Sequence, residues 1–122
     1  MTMLAPEVDA SRHDPAHLAT AACLFRGLGD ANRLAILQHL TLGEHRVRDL
    51  TEHLGLAQST VSAHCLCLAD CGLVTSRTQG RSTLYSLAGP EVLDLLAAAE
   101  RLLGLTGETV RLCPRYGTQA PA

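Results

Sequence analysis

Apolar residues recur at intervals of three and four along most of this chain, and short polar or glycine-containing stretches separate the resulting segments. Such a periodicity is typical of helices with one buried face. Two later segments are instead β-branched or alternating, with a polar turn between them. Helices are therefore predicted over residues 15–28, 31–42, 46–54, 57–70 and 90–103, and the strands of a β-hairpin over 73–77 and 82–87.

Residues that are typical of helix starts and helix ends mark the boundaries of these helices. Asp14 is placed to cap the first helix, with Pro15 at its first position. Asp30 is placed to cap the second helix. Gly55 is expected to end the third, and Gly72 suits the left-handed position that follows the fourth.

The order of elements predicts a mainly α fold with a small β-hairpin, arranged as a winged helix-turn-helix. The fourth helix opens with Gln58, Ser59, Thr60 and Ser62, which are the small hydrogen-bonding side chains that contact with a DNA major groove requires. From the pattern alone, an alternative stays open: a helical hairpin in which these residues are only a cap and a solvated face.

Composition limits the size and type of the molecule. The chain has 122 residues, enough for one domain or for half of an obligate dimer. With one Phe, two Tyr and no Trp, the core must consist of Leu, Val, Ile and Ala. The net charge of −2 argues against a large non-specific nucleic-acid surface, but all ten basic residues are Arg. A local basic patch is expected from Arg46, Arg48, Arg77 and Arg81.

Residues 1–17 lack the features of a secretory signal, and no segment approaches the roughly 20 apolar residues of a membrane helix. We therefore expect a cytoplasmic protein that does not associate with membranes. The predicted organisation is a flexible segment at 1–13, a domain for dimerisation and DNA binding at 14–104, and a tail at 105–122.

Five cysteines in a reducing compartment are better explained as thiols or metal ligands than as disulfides. Cys67 and Cys71 are four residues apart on the fourth helix, so their Cβ atoms should be roughly 5–6 Å apart on one face. Cys65 lies roughly 200° around the helix from Cys67 and is expected to pack in the core. Cys23 on the first helix is expected in the core of a dimer interface, and a role as a metal ligand stays open as the less favoured alternative.

Several motifs occur in a characteristic order. Residues 28–37 read LGDANRLAIL, residues 49–56 read DLTEHLGL, residues 58–64 read QSTVSAH, and the hairpin carries GLV at 72–74, GR at 80–81 and LYSL at 84–87. Together they resemble the ArsR/SmtB family of metal-responsive repressors over about residues 18–104. The resemblance implies a homodimer, packed through its first and last helices, that binds an inverted-repeat operator DNA and releases it when an inducer binds.

The same resemblance suggests roles for individual residues. It places Gln58, Ser59, Thr60, Ser62 and His64 towards the DNA groove, and Arg77 and Arg81 of the wing against the DNA backbone or minor groove. Of the family's sensor sites, the cysteine pair at the third helix is replaced here by Arg46 and Arg48, and residues 90–104 contain no His.

The pair Cys67 and Cys71 is similar to the CmtR-type cadmium/lead sensor branch, in which a tail thiolate completes the site. Cys113 is the only cysteine in the tail, so it is expected to be the third ligand. Three thiolates favour Cd(II) or Pb(II) as inducer, and another thiophilic ion such as Hg(II) stays open. Two alternatives stay open: an As(III)- or Sb(III)-responsive repressor with the same cysteines, and a repressor that senses thiol oxidation. An enzyme is disfavoured because no base is paired with a cysteine and no phosphate loop or carboxylate pair occurs.

Overall fold

A computed structural model of the protein describes residues 15–112. The helices are α1 Pro15–Leu28, α2 Ala31–Leu40, α3 Val47–Leu54, α4 Gln58–Asp70 and α5 Pro90–Leu105, and the strands are β1 His45–Arg46, β2 Val74–Gln79 and β3 Ser82–Leu87. This order confirms the predicted mainly α fold with a helix-turn-helix (α3 and α4) and a β-wing (β2 and β3). The predicted segment 1–13, the cap Asp14 and the tail cysteine Cys113 lie outside the described residues.

The core is formed where α2, α4 and the sheet meet, and α5 covers it. Its members are almost all aliphatic, as the composition predicts: Ile36, Leu37, Leu40, Leu50, Val61, Cys65, Leu68, Leu73, Val74, Tyr85, Val92, Leu96 and Leu112. Helix α4 buries Val61, Cys65 and Leu68 on one face. Because this face of α4 packs against the core, the remaining faces of the helix are available to bind other molecules.

The sheet has one strand more than the predicted hairpin. Its strand order is β1-β3-β2, and β1 pairs antiparallel with β3 so that Arg46 lies opposite Leu84. A strand of two residues has no alternation to detect, so the sequence pattern could not reveal it. Strand β3 has its predicted bounds, whereas β2 begins one residue later and ends two residues later than predicted, because Gln79 pairs with Ser82 and leaves only Gly80 and Arg81 in the turn.

The predicted helix boundaries are confirmed at three positions. The Asp30 carboxylate accepts the N–H of Arg33 at 3.0 Å and caps α2. Gly55 and Gly72 have φ angles of 68° and 79°, a left-handed conformation that glycine adopts without steric cost. Helix α2 ends at Leu40, two residues earlier than predicted, because residues 41–43 form a turn.

The chain folds back onto the domain after α5. The Leu112 N–H donates to the buried carboxylate of Glu100, and the Gln38 Nε2 atom donates to the Arg111 carbonyl at 2.8 Å. Leu112 itself belongs to the core. The position immediately before Cys113 is therefore anchored to α2 and α5. Within residues 15–112, no helix is long and apolar enough to cross a membrane.

Candidate nucleic-acid interface and thiol cluster

The first turn of α4 presents polar side chains to solvent. Gln58, Ser59 and Thr60 are exposed, and Ser62 is half-buried. Val61 between them is completely buried, which fixes the rotation of the helix about its axis. The structure thus brings together four of the residues that were predicted to contact DNA.

A basic cleft of about 250 Å³ lies between this turn of α4 and the tip of the wing. Its lining residues are Arg46, Val47, Arg48, Gln58, Ser62, Arg81, Ser82 and Thr83. Arg46 pairs with Asp49 at 3.3 Å, whereas Arg48 and Arg81 make no ion pair within residues 15–112. Two guanidinium groups beside polar helix residues are suited to hold a phosphate backbone against the groove-facing turn.

Arg77 of the wing forms a salt bridge with Glu44. Its Nε and Nη2 atoms donate to the Glu44 carboxylate at 2.7 and 2.8 Å. This bidentate pair holds the pKa of Glu44 below its ordinary value. The positive charge of Arg77 is therefore partly neutralised within the chain, unlike that of Arg81.

His64 is directed towards other elements of the same chain. Its Nε2 atom is 3.9 Å from Asp30 Oδ2, and its Nδ1 atom is 3.5 Å from Arg33 Nη1. The side chain of Arg33 also donates to the carbonyls of Gly27 and Arg26 at 2.9 and 2.8 Å. His64 thus connects α4 with the end of α1 and the start of α2, and its contact with DNA stays a prediction.

Three thiols lie close together where α1 meets the end of α4. The Sγ atoms of Cys23 and Cys71 are 3.0 Å apart. Cys71 also interacts with the thiol of Cys67, and its N–H donates to the Cys67 carbonyl at 3.0 Å, so the helical spacing between these two residues is maintained. Burial, followed by the contact with Cys23, raises the pKa of the Cys71 thiol to about 11.

This cluster does not have the arrangement of a finished metal site. Among residues 15–112, no three His, Cys, Asp or Glu side chains are already placed to hold an ion together. Cys65 is fully buried in the core, as predicted, and its burial raises its pKa to about 11. Cys113 lies outside the described residues, so its distance from the other thiols stays untested.

Gly27 permits the close approach of α1 and α4. A Cβ atom at this position would lie 3.1 Å from Leu73 Cδ1 and 3.2 Å from Cys71 Sγ. Gly27 is one helical turn after Cys23, so both face α4. For Cys23 the sequence favours a dimer interface over a metal role, and the contact with Cys71 becomes visible only in the structure.

Gly27→Ala is expected to destabilise the protein, because the added methyl group would displace Leu73 and Cys71 from well-packed positions. Overpacking of this kind typically costs about 1–3 kcal/mol, against a gain of about 1 kcal/mol in helix propensity. Urea unfolding measures the net effect. Gly104→Ala is the matched control, because nothing lies within 4 Å of its added Cβ. A Gly27→Ala protein as stable as the Gly104→Ala protein would contradict the tight contact.

Comparison with known proteins agrees with this architecture. The model of the family described as bacterial regulatory protein, arsR family, matches residues 30–76. A protein of Streptomyces lividans described as "Probable mercury resistance operon repressor" is 38% identical over 99 residues, which cover 81% of this chain and 79% of that protein. The HTH-type transcriptional regulator CmtR of Mycobacterium bovis is 45% identical over 67 residues, which cover 55% of this chain and 57% of CmtR.

A solved structure supports the fold independently. The homodimeric winged helix-turn-helix DNA-binding domain of a Mycobacterium bovis protein, described as a possible ArsR-family transcriptional regulator, superposes with a TM-score of 0.73 at 30% identity. The match covers 86% of this chain and 94% of that domain. These relatives are regulators of transcription and not enzymes. The chain belongs to the arsR family of bacterial regulatory proteins, with a winged helix-turn-helix fold.

Proposed function

We propose that this protein is a metal-responsive transcriptional repressor of the CmtR-type branch. A homodimer binds an inverted-repeat operator in the metal-free state and releases it when Cd(II) or Pb(II) binds to cysteine thiolates. The proposal rests on the two ends of α4. Its first turn exposes polar side chains beside a basic cleft, and its other end carries Cys67 and Cys71.

DNA binding is supported by the chemistry of the cleft and of the helix beside it. In the proposed complex, Gln58, Ser59, Thr60 and Ser62 face the major groove. Arg81 and Arg48 contact phosphates, because their charges have no acidic partner within the described part of the chain. Arg77 contributes less than Arg81, since Glu44 already accepts two of its hydrogen bonds.

Arg81→Ala is expected to weaken binding to all DNA sequences by a similar factor. The loss of one phosphate contact should reduce the slope of log affinity against log salt concentration by about 1. Fluorescence anisotropy at several salt concentrations measures this slope. Arg111→Ala, which removes an exposed arginine away from the cleft, is the control. A salt slope unchanged by Arg81→Ala would exclude this residue from the interface.

A homodimer is supported by apolar side chains that the single chain leaves exposed. Leu18 and Phe25 of α1 are 59% and 61% exposed, and Leu102 and Leu105 of α5 are 65% and 84% exposed. Exposed apolar residues concentrated on two helices are typical of a protein interface. Two copies joined through α1 and α5 would present two recognition helices to the two half-sites of an inverted repeat.

The choice of inducer is supported by the thiols. Cys67 and Cys71, one helical turn apart, bind the ion together with Cys113 of the tail. Sulfur ligands favour soft ions such as Cd(II) and Pb(II) over ions that prefer oxygen. We expect the tail thiol to reach the ion from the partner chain.

The response to metal ions tests the proposal directly. A DNA duplex is first selected from a random library by the reduced, metal-free protein. Cd(II), Pb(II), Hg(II) and Sb(III) are then titrated into the complex, and anisotropy reports release. We expect release by stoichiometric Cd(II) or Pb(II). Greater potency of Sb(III) would instead favour the metalloid alternative, and the absence of release by any ion would exclude a metal sensor.

Thiol oxidation is a second candidate, because the Cys23 and Cys71 sulfurs are 3.0 Å apart. We favour the metal, because a relative that matches 81% of this chain is described as a probable mercury resistance operon repressor. Release by peroxide at concentrations that leave Cys65 unmodified would reverse this preference.

A further inference from the structure

We propose that Cys23 is a ligand of the inducer ion, so that a thiophilic cation joins α1 directly to the recognition helix α4. This inference rests on the proposed function, because it adds a residue to the same metal site. It differs from that function in assigning a ligand to the first helix of the chain, in addition to Cys67, Cys71 and the tail.

The distance between sulfur atoms supports this assignment. Two sulfurs bound tetrahedrally to one Zn(II) ion at about 2.3 Å each are about 3.8 Å apart, and the larger Cd(II) ion holds them somewhat farther apart. The Sγ atoms of Cys23 and Cys71 are 3.0 Å apart, so they would have to move apart by about 1 Å or slightly more to bind one ion. Cys67 interacts with Cys71 from the preceding turn of α4. We expect a change of its side-chain rotamer to direct its sulfur to the same ion.

The packing around the pair also favours a ligand over a simple core residue. Buried cysteines often serve as small apolar side chains, and Cys65 does so on the opposite face of α4. Cys23 and Cys71 instead are half-buried at the edge of the core, where an ion can enter. Gly27 keeps α1 close enough for the two sulfurs to meet.

An ion at this place would connect the DNA-binding and dimerising parts of the fold. Cys71 is at the end of α4, while Leu18 and Phe25 on α1 belong to the proposed dimer face. Metal binding to Cys23 would fix the angle between α1 and α4, and hence the orientation of each recognition helix relative to the dimer axis. Release of DNA follows if the ion binds more tightly to the orientation that does not fit the operator.

The test compares Cd(II) binding by the reduced full-length protein and by Cys23→Ser. Competition with a chromophoric chelator gives the affinity, and cadmium NMR reports the number of bound sulfurs. We expect Cys23→Ser to bind Cd(II) through one fewer sulfur and at least about 100-fold more weakly, because the loss of an outer-shell partner alone already costs roughly 10- to 100-fold. Cys65→Ala, which removes a thiol outside the cluster, should keep both values of the wild type.

A second measurement on the wild-type protein does not depend on the folding of a variant. Cd(II) should protect Cys23 from alkylation together with Cys67 and Cys71, as read by mass spectrometry. Unchanged sulfur number and affinity in Cys23→Ser, or alkylation of Cys23 at the same rate with and without Cd(II), would overturn the inference. If Cd(II) still releases DNA in that case, the proposed function stands. If Cd(II) does not release DNA from the wild-type protein, the proposed function is wrong, whatever the result for Cys23.

Discussion

Cys71→Ser is expected to abolish the response to Cd(II) while DNA binding persists in the metal-free state. Serine removes a thiolate that lies between Cys67 and Cys23, and a hydroxyl oxygen is a poor ligand for a soft ion. In the wild type, Cd(II) should lower DNA affinity by about 5- to 150-fold, the usual range of allosteric coupling. In Cys71→Ser, the DNA affinity should be the same with and without Cd(II), as measured by anisotropy.

Cys65→Ala is the matched control for this experiment, because its thiol is on the same helix but fully buried in the core. It should lose some stability and keep the metal response. The first turn of α4 is more than two helical turns away from Cys71, so the DNA contacts of the metal-free Cys71→Ser protein should be unchanged. Release of Cys71→Ser from DNA at the Cd(II) concentration that releases the wild type would exclude Cys71 as a ligand.

Leu105→Glu is expected to dissociate the dimer and to lower operator affinity by roughly 100- to 10,000-fold. Leu105 is 84% exposed in the single chain, so glutamate there should not disturb the fold of the monomer. In a dimer packed through α1 and α5, the same carboxylate would be buried without a partner. The large factor reflects the loss of simultaneous binding to two half-sites. Analytical ultracentrifugation gives the oligomeric state, and anisotropy gives the affinity.

Leu42→Glu serves as the control, since Leu42 is 67% exposed but lies after α2 and outside the proposed interface. It should remain dimeric and bind DNA like the wild type. Circular dichroism shows whether both variants stay folded. A Leu105→Glu protein that remains dimeric at micromolar concentration would place the interface elsewhere.

The fold could be predicted well because its signals are local. Helical periodicity, the cap at Asp30 and the left-handed glycines at positions 55 and 72 depend on neighbouring residues only, and all are confirmed. Strand β1 was missed because its two residues become a strand only by pairing with β3, which is about 40 positions later in the chain. That pairing matters for function, since it brings Arg46 beside the wing and helps to form the basic cleft.

The candidate site could be predicted only where its residues share one helix. The spacing of Cys67 and Cys71 follows from the geometry of α4, and the burial of Cys65 follows from the same geometry. The partner of Arg77 could not be predicted, because Glu44 is 33 residues away and meets it only through the packing of the wing. The orientation of His64 towards Asp30 depends in the same way on how α2 packs against α4.

Residue spacing is enough to predict the order of elements, the polar first turn of α4 and the pair of thiols at its end, because helix geometry places residues three or four apart on one face. The contact of Cys23 with Cys71, 48 residues away in the chain, appears only when the helices pack together. The contact depends on the crossing of α1 over the end of α4, which the absence of a side chain at Gly27 allows. Such a contact between distant residues arises from packing and leaves no periodic signal in the sequence.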